Sequence, residues 1–356
     1  MFGHDGALLA QPFDARRLKL TGQPVTLSDK VGSSFLYLNQ FTFSVSNNGV
    51  LVFDPSLKRQ RRQYLWWDRR SQQSNLLDVD AGALQAWLSS DEKRFIADRL
   101  DPQTNSYDLW LCDALGGNPQ RFTSDPANDF APVWSPDGSR IVWASSRGGG
   151  IANLYQRAAN LAGQEVLLWK SDYVKHPSDW SRDGRYIIYR EIDLKRNSDI
   201  WALPMNESGE AKPFPLLQTD ANEYAGTLSP DGRWLAYASD ASGQFEVWVQ
   251  SFPDGGSRRQ VSTGGGGNPR WRRDGSELFY YARGGKLMAA PVKSGESLEM
   301  GAAISLLEFR AGTSGGSYVP YSVTGDGQRF LLNAVVETEP NAPLTVVVNW
   351  AAGAPK

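Results

Sequence analysis

The stretch Trp134-Ser135-Pro136-Asp137-Gly138 decides the fold, because close variants of it recur along the chain. Two further copies match it closely, Trp180-Ser181-Arg182-Asp183-Gly184 and Leu228-Ser229-Pro230-Asp231-Gly232. Four weaker copies read Ser46-Asn47-Asn48-Gly49, Ser89-Ser90-Asp91-Glu92, Arg272-Arg273-Asp274-Gly275 and Thr324-Gly325-Asp326-Gly327. Asp can accept backbone N–H groups inside its own turn, and Gly can take a positive φ. Each copy therefore predicts a tight hairpin between two strands.

The spacing of the seven copies predicts the architecture. Their first residues, 46, 89, 135, 181, 229, 272 and 324, are separated by 43, 46, 46, 48, 43 and 52 residues. A repeat of about 40–50 residues with four strands in each unit is typical of β-propeller blades. We therefore predict an all-β chain in which residues 1–356 form a single β-propeller domain. Its four-stranded antiparallel blades number seven, with six as the alternative.

The N-terminal segment predicts how the propeller closes. Gly6–Pro12 resembles Gly285–Pro291, which has the pattern of a third blade strand, yet no hairpin motif precedes it. The chain is therefore expected to begin in mid-blade. We expect residues 1–30 to complete the last blade, with the strand near Pro24–Ser28 joining Tyr318–Val336 and the C-terminal strand, because closure removes exposed sheet edges. The alternative is that this segment belongs to a preceding propeller.

Composition narrows the classes of partner and cofactor. The chain has 37 basic and 39 acidic residues, so no global positive field predicts a nucleic-acid partner. Cys112 is the single cysteine, which excludes an internal disulfide and a cysteine-based zinc cluster. Neither a signal-peptide pattern nor a run of about 18 apolar residues is present, so direct membrane insertion is not expected. We predict a monomer without a cofactor.

The repeats resemble those of TolB-type, WD-repeat-like propellers that carry Pro-Asp motifs. They also resemble the propeller regions that follow bacterial membrane-linked serine/threonine kinases. The likeness extends to Leu8–Asp14, Trp271–Gly275, Leu278–Tyr280 and Leu344–Trp350. It implies a periplasmic or otherwise extracytoplasmic sensor or scaffold in a kinase-linked or envelope system, often one part of a longer polypeptide. The residues of this chain do not by themselves assign a compartment.

The motifs that could carry chemistry are few. Gly312–Gly316 matches the Gly-x-Ser-x-Gly pattern of hydrolases, but no His follows Ser314 in the sequence. His4 and His176 are the only histidines, so a multi-histidine metal site is not expected. Calcium needs six to eight converging oxygens, which one Asp in each blade cannot supply. We interpret the following aspartates as structural turn residues: Asp137, Asp183, Asp231, Asp274 and Asp326.

The candidate ligand site lies where the inner strand of each blade begins, nine residues before the last motif residue. That position is occupied by Gln40, Ala83, Asp129, Lys175, Glu223, Gly266 and Tyr318. Two residues further on, the same strand face carries Thr42, Gln85, Ala131, Pro177, Ala225, Asn268 and Pro320. Convergent polar groups over a concave opening are typical of binding sites, although such groups can also hold only ordered water. The predicted ligand-binding residues at this rim are Gln40, Asp129, Lys175, Glu223, Asn268 and Tyr318.

These observations predict a binding, sensing or scaffold module without catalytic activity. Its ligand would be a protein, a peptide or a small polar molecule at the central opening. The alternative is a carbohydrate-active propeller enzyme that uses paired carboxylates at the same opening. A structural spacer that binds nothing is a third possibility.

Overall fold

The computed structural model describes most of the chain. The described residues are 1–4, 7–31, 33–34, 40–41, 43–54, 61–80, 83–101, 104, 106–193, 195–205, 212–295, 297–311, 319–337 and 344–350. The chain divides into a smaller compact unit, Met1–Arg61 with Glu337–Lys356, and a larger one, Arg62–Val336. That the whole chain forms one domain stays a prediction. In the ranges given above, no helix is long and apolar enough to cross a membrane.

The smaller unit consists of short antiparallel sheets. One sheet has the order β1 (Phe2–His4), β2 (Ala7–Ala10) and β5 (Val25–Ser28), and two hairpins are β3 (Phe13–Asp14) with β4 (Lys19–Leu20), and β6 (Ser33–Ser34) with β7 (Gln40–Phe41). The first sequence motif lies between β8 (Phe43–Val45) and β9 (Val50–Phe53), and β9 also pairs with the C-terminal strand β35 (Thr345–Val348). Leu8, Val31, Leu51 and Phe53 are the buried core of this unit.

The larger unit contains six antiparallel sheets among its described residues. The first to use sequence-consecutive strands is β12 (Ala83–Leu88), β13 (Arg94–Asp101), β14 (Ser106–Asp113) and β15 (Gln120–Arg121). The next three are β16 (Asp129–Trp134), β17 (Arg140–Ser145), β18 (Asn153–Ala158) and β19 (Val166–Trp169); β20 (Val174–Trp180), β21 (Tyr186–Ile192), β22 (Ser198–Pro204) and β23 (Phe214–Leu217); and β24 (Glu223–Leu228), β25 (Trp234–Ser239), β26 (Glu246–Ser251) and β27 (Arg258–Gln260). The fifth has five strands, β28 (Gly266–Trp271), β29 (Glu277–Ala282), β30 (Lys286–Ser294), β31 (Leu298–Met300) and β32 (Ile304–Glu308). The predicted all-β class with four-stranded antiparallel sheets is confirmed.

The sixth sheet of the larger unit joins distant parts of the chain. Its order is β33 (Tyr321–Val323), β34 (Arg329–Glu337), β10 (Arg61–Asp68) and β11 (Gln73–Asp80). The sequence predicted different partners, with the strand near Pro24–Ser28 in this blade. In the structure β5 pairs with β2, and the C-terminal strand pairs with β9. The hairpin of β10 and β11 supplies four buried side chains, Tyr64, Trp67, Leu77 and Val79, which the short β5 cannot match.

The inner strands of the larger unit contact one another in cyclic order. β12, β16, β20, β24 and β28 are successive neighbours, and β33 contacts β12. The circle is completed where the Tyr321 hydroxyl of β33 donates to the Asn268 carbonyl of β28 at 2.9 Å. Six of the seven sequence motifs form hairpins in this unit, and the seventh lies in the smaller unit. Seven blades therefore stays a prediction for the whole chain.

The motif turns have the contacts expected of hydrogen-bonded hairpins. Asp183 Oδ1 accepts the Ser181 hydroxyl at 2.7 Å and the Arg185 amide at 3.0 Å, and Gly184 has a φ of 75°. In the second copy, Glu92 occupies the glycine position at a φ of 62°. The corresponding carboxylate-to-hydroxyl contacts recur at Ser89 with Asp91, Ser135 with Asp137, Ser229 with Asp231, and Thr324 with Asp326, and Asp274 accepts from Ser276.

Candidate functional site

A pocket opens between the inner strands of the larger unit, and we call it the inner-strand pocket. Its lining residues are Gln85, Trp87, Ala131, His176, Pro177, Ser178, Arg190, Tyr224, Ala225, Arg270 and Val319. They come from β12, β16, β20, β21, β24 and β28, and from the residue just before Pro320 and β33. Five inner strands thus place side chains around one opening.

The backbone of the inner strands is irregular at this pocket. On β16 the pairing steps from Phe130 with Ala144 to Val133 with Val142, so two residues face one on the partner strand. The same step occurs on β24 between Tyr224 and Thr227. These are β-bulges, which redirect side chains and are common next to binding sites.

Three bulge residues adopt left-handed backbone conformations without being glycine. Ala131, Ala225 and Asn268 have φ values of 51°, 53° and 53°. A left-handed conformation costs an L-residue roughly 1–2 kcal/mol. The surrounding sheets must stabilise this geometry, and strain of this kind is often found at functional sites.

Two arginines and a histidine give the pocket its electrostatic character. Burial lowers the pKa of Arg270, because desolvation of the guanidinium outweighs the attraction of Tyr321 and Asp179. Burial also lowers the pKa of His176 to about 3, and the neighbouring Arg190 charge acts in the same direction. The imidazole is therefore neutral near pH 7, and its ring lies 4.8 Å from the ring of Phe130. The pocket combines guanidinium groups with a neutral aromatic wall.

Two N–H groups of the lining have no acceptor. Trp87 Nε1 and Arg270 Nη2 are buried atoms without a hydrogen-bond partner in the part of the chain that the structure describes. Arg270 uses its other terminal nitrogen, since Nη1 donates to the Pro269 carbonyl at 3.1 Å. A buried donor without an acceptor costs about 1–3 kcal/mol, so each such group calls for an explanation.

Gly267 makes room for a tyrosine of the lining. A Cβ atom added to Gly267 would lie 2.2 Å from the Tyr224 hydroxyl oxygen. No side chain fits there while the tyrosine keeps its position. Because Gly267 has no side chain, the Tyr224 ring can occupy its position in the pocket lining.

Asp129, predicted at an open rim, is buried inside its own sheet. Its side chain is 0% exposed, and it is absent from the pocket lining. Oδ1 accepts the Trp143 indole N–H at 3.2 Å, and Oδ2 lies 3.1 Å from Arg147 Nη2. Burial raises the pKa of Asp129 to about 6, although Ser145 and Arg147 act against this shift. The carboxylate ties strands β16 and β17 together.

Lys175 and Glu223 have similar environments. Lys175 is 0% exposed, its ammonium donates to Asn153 Oδ1 at 3.1 Å, and burial lowers its pKa to about 8. Glu223 is 1% exposed and accepts the hydroxyls of Thr219 and Ser239 at 2.8 and 3.1 Å. Burial raises the pKa of Glu223 to about 7. The sequence predicted an exposed charged rim, but the structure buries the side chains of Lys175 and Glu223.

The other three predicted rim residues have different outcomes. Asn268 is buried on β28, and its side chain is not among those lining the pocket. Gln40 lies on β7 in the smaller unit, and its side chain is outside the described residues. Tyr318 and the Gly312–Gly316 motif also lie outside the described residues. Ligand binding by the six predicted residues stays a prediction.

The pocket residues that sequence reasoning missed had a usable signal. Five residues before the last motif residue, the inner strands carry Trp87, Val133, Asp179, Thr227, Arg270 and Ser322. At this equivalent position, Asp179 and Arg270 are charged, whereas the other strands carry apolar or small residues. Charged residues at such a position indicate a buried polar site. His176 and Tyr224 directly follow the predicted rim residues of their strands and line the pocket, just before the bulge of each strand.

Comparison with known proteins identifies the fold. No protein-family model matches the chain. The Tol-Pal system protein TolB of Anaeromyxobacter dehalogenans is 31% identical over 121 residues, which cover 34% of this chain and 26% of that protein. A solved TolB-type structure from Agrobacterium tumefaciens superposes with a TM-score of 0.62 at 19% identity, covering 78% of this chain and 99% of the other. The chain therefore has a TolB-like β-propeller fold, as predicted.

The prediction that the chain is not an enzyme is wrong, because the chain resembles parts of proteins that are named as peptidases. Tricorn protease homolog 1 of Streptomyces coelicolor is 25% identical over 235 residues, covering 62% of this chain and 21% of that protein. The uncharacterized peptidase YuxL of Bacillus subtilis is 24% identical over 197 residues, covering 44% of this chain and 30% of that protein. Repeats of this type thus occur within proteins named as peptidases. These partial matches do not assign a catalytic activity to the chain.

Proposed function

We propose that the chain is a protein-binding propeller module whose inner-strand pocket receives a peptide segment of a partner protein. The observation that carries the proposal is the convergence of five inner strands on one opening, three of them with left-handed bulge residues. A β-bulge at the rim of an opening can redirect side chains towards a bound ligand. N–H groups of the same lining that have no acceptor in the described part of the chain add donors for a polar ligand.

The comparisons support the wider context of the proposal. Relatives named as Tol-Pal system proteins match about a third of the chain. The chain spans about a quarter of the length of these relatives, so their partners are a guide only to the class of ligand. An extracytoplasmic location in an envelope or kinase-linked system is part of this proposal. A small polar ligand is the other occupant that the sequence predicted.

A peptide-display experiment tests the proposal. Random peptides displayed on phage are selected on the immobilised full chain, and the enriched sequences are synthesised and titrated by isothermal calorimetry. Replacing His176 with Trp enlarges an aromatic side chain in the lining and should weaken binding about tenfold or more by filling the pocket. Ser242→Trp, in an exposed turn of the same unit, is the matched control and should leave binding unchanged.

Two results would contradict the proposal. One is the failure of any peptide to be enriched over a blank surface. The other is equal peptide affinity in the wild type and in H176W, with both proteins melting cooperatively.

The carbohydrate-active alternative predicted paired carboxylates at the same opening. The described residues that line the inner-strand pocket include no Asp or Glu.

A further inference from the structure

We propose that the inner-strand pocket recognises a carboxylate group of the peptide that enters it. This inference rests on the proposed function, since it specifies which chemical group the same pocket takes. The geometry behind it is the placement of Arg190, Arg270 and the Trp87 indole around one opening.

The polar groups of the lining favour an acceptor that carries negative charge. Arg190 and Arg270 both contribute guanidinium groups, and an Arg guanidinium matches the two oxygens of a carboxylate with parallel N–H donors. Arg270 Nη2 and Trp87 Nε1, which have no acceptor among the described residues, are both donors. An entering carboxylate would supply acceptors for both kinds of donor. A ligand cation or a plain N–H donor would supply none.

The nearby acid does not meet this demand. Asp179 is the carboxylate whose charge acts on Arg270, but its Oδ2 already accepts the Leu228 amide at 2.7 Å and the Thr227 hydroxyl at 3.0 Å. Burial raises the pKa of Asp179, because desolvation outweighs the attraction of those donors and of Arg270. Asp179 thus links β20 to β24, and the Nη2 atom of Arg270 has no acceptor among the residues that the structure describes.

The remaining lining does not repel an anion. His176 is neutral near pH 7, and Tyr224 stays protonated because burial raises its pKa to about 12. The described lining residues include no Asp or Glu. Burying a cation is costly, and a ligand carboxylate offsets part of that cost when it binds. The structure therefore favours acidic peptide segments over neutral ones.

The direct test compares peptides that differ only in a carboxylate. The probes are acetylated and amidated pentapeptides of sequence Gly-Ser-X-Ser-Gly with X as Asp, Asn, Glu or Gln, together with acetyl-Gly-Ser-Gly-Ser-Gly as free acid and as amide. Binding to the full chain is followed by NMR through the Trp87 indole N–H signal, which W87F identifies. We expect acid peptides to bind at least about tenfold more tightly than their amide pairs and to shift this signal downfield. Comparing the side-chain pairs with the terminal pair shows which source of carboxylate fits.

Variants separate the pocket charge from the general charge. R270Q should reduce the acid preference about tenfold, and R270K, which keeps the charge but loses the planar fork, should retain part of it. R259Q removes an exposed arginine from the same unit and should change affinity less than about twofold. The acid-to-amide comparison needs only the wild type, so it stands even where R270Q fails to fold.

The outcomes distinguish this inference from the function on which it rests. Equal binding of acid and amide peptides would overturn the carboxylate proposal while peptide binding stands. Binding of display-selected peptides without any response to the acid series would do the same. Failure of both the selected and the acid peptides would overturn the two proposals together.

Discussion

Replacing Trp67 with Ala should open the sheet that joins the two ends of the larger unit. Trp67 lies on β10, is 1% exposed, and its ring centroid lies 5.5 Å from that of Phe330 on β34. The same cluster includes Phe279 and Leu287 of the neighbouring sheet. The indole therefore holds β10 to β34 and the sixth sheet to the fifth.

The expected loss follows from the size of the buried ring. Truncation of a buried Trp or Phe to Ala costs about 3–5 kcal/mol, against a total stability of about 5–15 kcal/mol for a typical domain. At roughly 2–4 °C for each kcal/mol in a unit of this size, the melting temperature should fall by about 6–20 °C. Because β34 would also lose its outer partner strand, the variant should aggregate through the exposed edge.

Thermal unfolding by circular dichroism and light scattering measure the two effects. Trp110→Ala on β14 is the matched control, since its ring is partly exposed and is covered by the Arg99 guanidinium at 4.8 Å. Its melting temperature should fall by less than half as much. A W67A protein that stays monomeric and melts with the wild type would refute the role assigned to the hairpin of β10 and β11.

Two further predictions concern strain and titration. Ala225→Gly should leave stability within about 1 kcal/mol of the wild type, because relief of the left-handed backbone offsets the lost methyl, whereas Ala236→Gly at an ordinary buried position should cost about 1–2 kcal/mol in denaturant unfolding. Burial raises the pKa of Glu223 from 4.5 to about 7, so its contribution to stability is full below about pH 4.5 and is lost as the pH rises through 7. E223Q should therefore melt several degrees above the wild type at pH 8 and lose that advantage at pH 4.5. The control E299Q, at an exposed site, should melt with the wild type at both pH values. A melting advantage of E223Q that does not change with pH would contradict the assignment.

The hairpins of the fold were predictable because the turn chemistry is local. Ser181, Asp183 and Gly184 satisfy one another within a few residues, so the motif specifies its turn wherever it occurs. Even the second copy forms the turn, with Glu92 in the glycine position. Its carboxylate accepts the Gly325 amide at 2.8 Å, a contact with another hairpin that helps offset the backbone strain.

The partners of the outermost strands were not predictable from the same information. Pairing across hundreds of residues depends on which hairpin buries the most apolar surface, and the motif says nothing about it. Strand β10 begins with the charged Arg61 and Arg62, yet Tyr64 and Trp67 follow within a few residues and are buried. The alternation of Leu77 and Val79 on β11 was the available signal that this hairpin is a half-buried part of a sheet.

The position of the candidate site and four of its lining residues, Gln85, Ala131, Pro177 and Ala225, could be predicted, but the charged rim could not, and the reason is the bulge. Strict alternation along a strand would put Asp129 and Ala131 on the same face of β16. The extra residue between Phe130 and Val133 breaks the rule, so Ala131 reaches the pocket while Asp129 turns into the sheet to meet Arg147. A bulge leaves little trace in a single sequence when its left-handed residue is Ala and not Gly. The polar residue that breaks a repeat position, as Arg270 does, is then the better guide to the site, because burying a charge is costly wherever nothing binds it.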